Sequence, residues 1–236
     1  MSIQLTHLSH KLNFPDVETA LDDPDGLLAF GGDLSPARLL LAYRNGIFPW
    51  FGEDEPIMWW SPSIRGILNL AEFHCSRSLA KLVRQQSYRV TLNADFNQVI
   101  QTCSGIPRTD NGTWITQSMI AAYQQLHRLG YAHSVEVWQQ DQLVGGLYGV
   151  AVGKVFCGES MFHQQANCSK LAMYWLVEYL QSNRFDFIDC QMVTPHLATM
   201  GVKGVKRSEF VKRLHQSISR SQNLADDIWN PGILNG

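Results

Sequence analysis

The chain has 236 residues, of which 45% are hydrophobic and 17% charged, and its net charge is −2. This composition is sufficient for a full hydrophobic core, in one large domain or two small ones, and excludes a disordered chain. No apolar run is long enough to cross a bilayer, and the N-terminus lacks a basic region followed by an apolar core. We therefore expect no membrane segment, no secretory signal and a cytoplasmic location.

The charge is unevenly distributed along the chain. Residues 1–60 hold nine acidic and three basic residues, whereas the remainder holds twelve acidic and sixteen basic ones. Any surface that binds nucleic acid is therefore expected beyond residue 60. The five cysteines form no CxxC pair, and the sequence contains no HExxH, GxxxxGK[ST] or GxGxxG motif. We expect no metal site, no disulfide framework and no nucleotide cofactor.

Turn residues dominate the first 65 residues, with one helix predicted in "SPARLLLAYRNG". Ser35 fits the N-cap, Pro36 the first helical position and Gly46 the end. A second helix is predicted from residue 76 to residue 86, because apolar residues recur there at helical spacing. The next elements in the chain are a strand in "YRVTLN" and helices in "DFNQVIQTCSG" and "TQSMIAAYQQLHRLG".

From about residue 131 the pattern changes to strands. An antiparallel meander is predicted in "HSVEVW", "LVGGLYGVAV" and "VFCGESMF". It is followed by the long helix "SKLAMYWLVEYLQSN", the strand "FDFIDCQM" and the basic helix "KRSEFVKRLHQS". We predict an α+β fold, in which the turn-rich segment 1–65 packs with 66–110 as a small N-terminal α/β domain. Residues 111–236 are expected to form a second domain with a mostly antiparallel sheet.

Charged and amide side chains interrupt two of the apolar strands. In "FDFIDCQM", strand alternation would place Phe187, Asp189 and Gln191 on one face. Glu159 lies in "CGESMF", where a lone buried glutamate is unusual unless it is paired. A salt bridge or a solvent-facing position would also explain these residues. If the two strands are neighbours, two acids and an amide converge and could hold an amine.

A basic stripe is predicted on the second helix. Arg77, Lys81 and Arg84 recur at helical spacing on one face, and apolar residues occupy the opposite face. Such a stripe can contact a phosphate backbone, although a solvated face is the commoner outcome. Trp50 and Trp114 lie in turn-rich contexts, where tryptophans can stack on bases but more often fill a core.

Several of these segments, in this order, resemble the leucyl/phenylalanyl-tRNA–protein transferase family over roughly residues 13–213. The segments are "GLLAFGGDLSPARLLLAYRNGIFPWF", "WWSP", "SRS", "GTWIT", "AHSVEVW", "LVGGLYGV", "FCGESMF" and "DCQM". The resemblance implies transfer of leucine, phenylalanine or, less readily, methionine from aminoacyl-tRNA to proteins with N-terminal arginine or lysine. The product would be marked for N-end rule degradation. A GNAT-like acyltransferase domain at residues 111–236 is also implied. An aminoacyl ester is already activated, so no cofactor is expected.

The resemblance also implies roles for the polar residues. Gln191 is expected to face the attacking amine, while Asp189 accepts a hydrogen bond from the Gln191 amide or steadies the ammonium. Glu159 is expected to hold the N-terminal cation or amine of the acceptor. An exchange of duties between Glu159 and Asp189 would fit the sequence equally well. A positioned proton acceptor assists because the amine must be neutral to attack.

The remaining implied sites bind the donor. Trp50 and Trp114 would stack on the 3′-terminal adenosine, and the basic stripe would contact tRNA. An apolar pocket for the aminoacyl side chain distinguishes similar side chains by only about 1–3 kcal/mol in binding free energy. We therefore expect it to accept leucine, phenylalanine and methionine. The pocket residues would be Leu147, Phe156, Met161, Met173, Leu176, Leu180 and Ile188.

Two other functions fit parts of the sequence. A GNAT-like fold could serve an acetyl-CoA-dependent N-acetyltransferase, but the segment "HQQANCSK" lacks the glycines of a pyrophosphate-binding turn. A non-catalytic tRNA-binding module would explain the basic stripe and the tryptophans, but it gives Asp189 and Gln191 no task. No motif requires an oligomer, so a monomer is expected.

Overall fold

The computed structural model describes residues 5–106, 114–220 and 226–235. Its helices are α1 Pro36–Arg44, α2 Arg77–Gln85, α3 Phe96–Ser104, α4 Gln117–Arg128, α5 Cys168–Ser182, α6 Pro195–Ala198 and α7 Arg207–Arg220. Its strands are β1 Thr6–Leu8, β2 Leu27–Gly31, β3 Phe48–Pro49, β4 Met58–Trp60, β5 Ile64–Asn69, β6 Arg89–Leu92, β7 Ala132–Gln139, β8 Gln142–Val152, β9 Val155–His163, β10 Phe187–Gln191, β11 Lys203–Lys206 and β12 Gly232–Ile233.

The strands form two sheets. The smaller sheet has the order β1-β2-β4-β3, and the larger has the order β11-β5-β10-β9-β8-β7-β6-β12. Within the described ranges, every strand pair is antiparallel except β1–β2 and β9–β10. The predicted α+β class with a mostly antiparallel sheet is confirmed.

The larger sheet begins earlier in the chain than the expected second domain. β5 and β6 both pair into it, although their residues were expected to belong to the N-terminal domain. Sheet membership therefore changes between Trp60 and Ile64. β5 was not predicted as a strand, because Arg65 and Gly66 interrupt its apolar pattern. The expected boundary near residue 110 lies outside the described residues, and the division into domains stays a prediction.

The helix ends follow the predicted capping. Ser35 accepts a hydrogen bond from the backbone of Arg38, Pro36 is the first residue of α1, and Gly46 follows the helix with φ +74°. At α2, Ser76 accepts a hydrogen bond from the backbone of Leu79 at 3.3 Å. These side-chain acceptors satisfy backbone donors that the first helical turn leaves free, so both predicted starts are confirmed.

Helices cover both faces of the larger sheet. α5 packs on β7, β8 and β9 from one side, with α2 packed against α5. α3, α4 and α7 contribute to a separate apolar cluster that also includes α1. Both sides of the central strands are therefore buried, which explains why polar residues in them require partners. In the described part of the chain, no helix is long and apolar enough to cross a membrane.

β9 and β10 are parallel neighbours that diverge. Their pairing runs from Phe187 opposite Val155 to Asp189 opposite Cys157. Beyond Cys157, β9 continues to His163 with β8 as its pairing partner. The divergence opens a cleft in the sheet, at the end of β10 and beside the second half of β9.

Candidate active site

A β-bulge interrupts each diverging strand at the cleft. On β9, Ser160 and Gly158 lie opposite the consecutive residues Tyr148 and Gly149, so Glu159 is the extra residue. On β10, Asp189 and Gln191 likewise lie opposite the consecutive residues 67 and 66 of β5. Bulges re-aim side chains and are frequent next to active sites.

The bulge on β10 corrects one expectation. Strand alternation predicted that Asp189 and Gln191 share a face, but the extra residue Cys190 breaks the alternation between them. Gln191 has φ +62° and, like Ile188, it lies on the side of the strand that faces the cavity. Gln191 therefore lines the cavity beside the sheet, whereas Asp189 points away from it.

Glu159 and Gln191 meet across the cleft. The side-chain Nε2 of Gln191 donates a hydrogen bond to Glu159 Oε1 at 2.8 Å. Tyr123 donates to Glu159 Oε2 at 3.0 Å, and Tyr43 is hydrogen-bonded to Tyr123. With Nε2 donating to Glu159, the carbonyl oxygen of the Gln191 amide is the atom that can accept a hydrogen bond from a ligand.

The Glu159 carboxyl is poised to exchange a proton near neutral pH. Burial raises the pKa of Glu159 to about 7, against the opposing effect of the tyrosine hydrogen bonds. Burial also raises the pKa of Tyr43 and of Tyr123 well above the ordinary tyrosine value. Both hydroxyls therefore remain protonated and act as hydrogen-bond donors.

Asp189 is held behind the cavity wall rather than in it. Arg65 Nε and Nη2 donate to its two carboxylate oxygens at 2.8 and 2.7 Å. Its Oδ1 also accepts the backbone N–H of Gln191 at 2.9 Å. The expected hydrogen bond between Asp189 and a Gln191 amide is thus formed by the main-chain amide, while the side-chain amide binds Glu159.

An apolar cavity of about 280 Å³ lies beside Glu159 and Gln191. This volume approaches the range of small-molecule pockets. Leu180 is buried on α5 in the apolar cluster that this helix shares with the sheet, and it does not line the cavity. The other six residues expected in the pocket do line it: Leu147, Phe156, Met161, Met173, Leu176 and Ile188.

Trp50 and Trp114 line the same cavity. Trp50 is 40% exposed and makes an edge-on ring contact with Trp60, with ring centroids 5.4 Å apart. The indole N–H of Trp60 fixes the backbone of Trp50 through a hydrogen bond of 2.7 Å. Trp59 and Trp60 are buried, so these two fill the core. Trp50 presents an accessible ring at the cavity.

The basic stripe lies on the exposed side of α2. Arg77, Lys81 and Arg84 are all exposed, whereas Leu79 faces the core. None of the three basic residues forms an ion pair with another part of the chain that the structure describes. The stripe is therefore accessible to a polyanion.

Known proteins with similar sequences share one description. A family model described as "Leucyl/phenylalanyl-tRNA protein transferase" matches residues 67–215, and the model of its N-terminal domain matches residues 32–63. A leucyl/phenylalanyl-tRNA–protein transferase from Pseudoalteromonas atlantica is 53% identical over 229 residues, which cover 97% of each chain. Its counterpart from Tolumonas auensis is 52% identical over 234 residues, covering 99% of each chain.

The chain belongs to the leucyl/phenylalanyl-tRNA–protein transferase family. The resemblance found in the sequence is confirmed, and the protein is an aminoacyltransferase. The name of the family describes a donor, an aminoacyl-tRNA, and an acceptor, a protein.

The solved structures that match this chain are more distant from it than these two relatives. L-PGS from Bacillus licheniformis matches with a TM-score of 0.42 and 10% identity, over 70% of this chain and 54% of that one. A GCN5-related N-acetyltransferase-like protein from Streptococcus suis matches with a TM-score of 0.36 and 13% identity, over 69% and 60%. Likenesses at this level carry no information about substrates.

Three residues that support the site, Arg65, Tyr43 and Tyr123, are not among those predicted from the sequence. Arg65 is a lone charge in an apolar strand, the same signal that drew attention to Glu159, and this signal could have revealed it. Tyr43 and Tyr123 lie on helices, where buried aromatic residues are ordinary core residues. No sequence signal distinguishes these two tyrosines.

Proposed function

We propose that the enzyme transfers leucine, phenylalanine or methionine from aminoacyl-tRNA to the α-amino group of proteins with N-terminal arginine or lysine. The modified proteins would enter N-end rule degradation. The observation that carries this proposal is the Glu159–Gln191 pair, which lies beside an apolar cavity where β9 and β10 diverge. We further propose that the enzyme acts as a monomer in the cytoplasm, without a cofactor.

The reaction requires one proton acceptor and one proton donor. The α-ammonium of the acceptor loses a proton, and its nitrogen attacks the ester carbonyl carbon. As the amide bond forms, the nitrogen loses a second proton, and the bond between the carbonyl carbon and the 3′-oxygen of the terminal adenosine breaks as that oxygen takes up a proton. Positioning and proton transfer are therefore the tasks left to the protein.

Glu159 and Gln191 are suited to accept the proton of the amine and to orient the amine for attack. Glu159 is the one carboxylate that lines the cavity among the described residues, and its pKa of about 7 lets it take a proton near neutral pH. The Gln191 carbonyl oxygen would orient the attacking amine. We assign Asp189 no direct contact with the amine, neither to steady the ammonium nor in exchange with Glu159, because Arg65 donates to both of its carboxylate oxygens.

The apolar cavity would bind the donor side chain. Leucine, phenylalanine and methionine differ modestly in volume, and an apolar pocket separates such side chains by only about 1–3 kcal/mol. Met161 and Met173, which both line the cavity, adapt their shape at low cost. A charged side chain would be excluded, since the six apolar residues expected to contact it offer nothing that compensates its desolvation.

The tRNA would be held at two places. The exposed ring of Trp50, with Trp114, would stack on the 3′-terminal adenosine, and the basic stripe on α2 would contact the phosphate backbone. Stacking contributes about 1–3 kcal/mol per base, and phosphate contacts make binding dependent on salt.

Transfer of labelled leucine, phenylalanine or methionine from charged tRNA tests the proposal. The acceptors are peptides that begin with arginine, lysine or alanine, and the enzymes are wild type, Gln191→Ala and the exposed strand variant Gln142→Ala. We expect transfer to the two basic N-termini by wild type and Gln142→Ala, and at least a hundredfold slower transfer by Gln191→Ala. Equal transfer to the alanine peptide would refute the acceptor specificity.

Salt dependence of tRNA binding tests the basic stripe. Changing Arg77, Lys81 and Arg84 to glutamine should weaken tRNA binding. The slope of the logarithm of the binding constant against the logarithm of the salt concentration should become shallower by about 0.7–0.9 for each phosphate that is no longer bound. Lys206→Gln with Lys212→Gln is the control, since both lysines are exposed and belong to other elements, β11 and α7. The stripe is only a solvated face if the triple variant keeps the slope of wild type.

A further inference from the structure

Two residues of β5 lie beside the β10 bulge but outside the cavity. Arg65 and Gly66 are consecutive. Arg65 binds Asp189, on the first flank of Gln191, and Gly66 lies against the backbone of Met192, on the second flank. We propose that Arg65 and Gly66 are positioning residues, which hold Gln191 in the conformation that aims its side-chain amide at Glu159. The inference rests on the proposed role of Gln191 in transfer.

The first flank is held through Asp189. Arg65 lies between the rings of Phe48 and Phe210, with its guanidinium carbon 4.7 and 4.6 Å from their centroids. This packing fixes the guanidinium, which binds Asp189 through both carboxylate oxygens. Asp189 in turn accepts the backbone N–H of Gln191. The Arg65–Asp189 pair therefore fixes the peptide unit between Cys190 and Gln191.

The second flank is held by close backbone contact. A Cβ atom at Gly66 would lie 2.6 Å from both the carbonyl carbon and the carbonyl oxygen of Met192. The absence of a side chain at Gly66 thus lets the segment that follows Gln191 approach β5. Backbone atoms cannot move aside as a flexible side chain can, so any larger residue at 66 must displace the bulge.

Gln191 needs this support because of its backbone conformation. Its φ of +62° lies in the left-handed region, which non-glycine residues adopt only where the surroundings hold them. If the support is lost, the backbone relaxes and the side chain turns away from Glu159. The essential property of Asp189 is then its acceptor atom for the Gln191 N–H, not its negative charge.

A pair of glycine variants tests the second flank without removing any charged group. Gly204 on β11 is the register partner of Gly66, but a Cβ there would lie 2.7 Å from the side-chain Cγ2 of Ile64 and not against backbone. Ile64 is half exposed, so a rotation of its side chain into solvent can relieve the contact. We expect Gly66→Ala to lower kcat per folded molecule at least tenfold, with KM for phenylalanyl-tRNA within threefold of wild type. Displacements near 1 Å cost about a hundredfold in rate.

Gly204→Ala should keep both constants within twofold of wild type. The folded fraction is measured by near-ultraviolet circular dichroism. The proposal is overturned if Gly66→Ala and Gly204→Ala have the same kcat. If wild type itself transfers nothing to any peptide, the proposed function fails instead, so the two failures are distinguishable.

Two double variants test the first flank. Arg65→Met with Asp189→Asn removes both charges and keeps an oxygen that can accept the Gln191 N–H, whereas Arg65→Met with Asp189→Leu removes that acceptor too. We expect the asparagine pair to have at least tenfold higher kcat than the leucine pair. Equal rates in two folded proteins would show that the acceptor atom at position 189 does not matter, and would refute the positioning role. If either pair fails to fold, the glycine comparison alone decides.

Discussion

Glu136 and Glu159 are two buried glutamates on the strands that flank β8. Both interrupt apolar strands, and burial raises the pKa of both carboxyls. Glu136 accepts hydrogen bonds from Thr91 Oγ1 at 2.6 Å, Ser134 Oγ at 2.5 Å and the Ala94 backbone at 3.2 Å. These donors belong to β6, β7 and the turn after β6, so Glu136 is enclosed by its own sheet.

Glu159 has the opposite setting. Its partners are a tyrosine on α4 and Gln191, and Gln191 itself lines the cavity. The two glutamates thus share burial and raised pKa but differ in access to a ligand. A buried carboxylate in a strand is therefore evidence of a site only when a divergence or bulge of the strands gives it a cavity.

The largest expected difference between the two glutamates is in the rate of transfer. Glu159→Gln keeps the size of the side chain but removes the proton acceptor, so kcat should fall about 10³-fold. Glu136→Gln is the matched change at the enclosed position and should leave kcat within about threefold of wild type, because no substrate reaches it. Single-turnover transfer to an arginine peptide measures both. Equal losses would mean that burial, rather than access, determines the effect.

Stability should show the reverse order. Glu136→Ala leaves two hydroxyls and a backbone N–H without their acceptor in a closed environment, which should cost about 3 kcal/mol. Glu159→Ala leaves Tyr123 and Gln191 next to a cavity that water can enter, so about 1 kcal/mol is expected. Urea unfolding at pH 7 measures both. A larger loss at Glu159 would contradict the contrast in enclosure.

The pH dependence of stability follows from the raised pKa of Glu159. A pKa of about 7 means that the folded state binds more protons than the unfolded state between the ordinary glutamate value and pH 7. This carboxyl therefore destabilises the fold increasingly as pH rises through that window. Relative to Glu159→Gln, wild type should lose about 2 kcal/mol between pH 5 and pH 7. Urea unfolding of both proteins at pH 5, 6 and 7 would detect this, and parallel curves would contradict it.

The contrast between the two glutamates also explains what the sequence could predict. The meander, the capped helices and the polar residues within the Glu159 and Gln191 strands follow from local patterns of apolar, capping and turn residues. The bulges do not, because a bulge depends on the partner strand: Tyr148 and Gly149 opposite Glu159, and Gly66 opposite Gln191. Strand alternation therefore assigned Gln191 to the wrong face.

The same limit applies to the charged residues. Glu136 in "HSVEVW", Arg65 in "SIRGILNL" and Glu159 in "CGESMF" all carry the pattern of one charge in an apolar strand. In the structure Glu136 is enclosed by its sheet, Arg65 is bound to Asp189, and Glu159 lines a cavity. These differences depend on the tertiary arrangement of strands and helices. β5, β11 and β12 were not predicted as strands, because they are short or their apolar pattern is interrupted by glycine and charged residues.

The smallest expected effect concerns the partner of Glu159. Tyr123 donates to its carboxylate, and a hydrogen bond to the charged form lowers the pKa of an acid. Tyr123→Phe should therefore raise the pKa of Glu159 further, by roughly half a unit to one unit. If Glu159 accepts the proton from the amine, the acid limb of kcat/KM against pH must move upward by the same amount.

Tyr179→Phe is the control, because Tyr179 packs against Trp229 away from the cavity. It should leave the acid limb unmoved, and Glu159→Gln should abolish the limb. If the acid limb stays in place in Tyr123→Phe but disappears in Glu159→Gln, Glu159 is the titrating group. Tyr123 then does not set the pKa of Glu159. A limb that persists in Glu159→Gln would assign the titration to another group, and the contrast between Glu159 and Glu136 would then rest on geometry without a proton-transfer role.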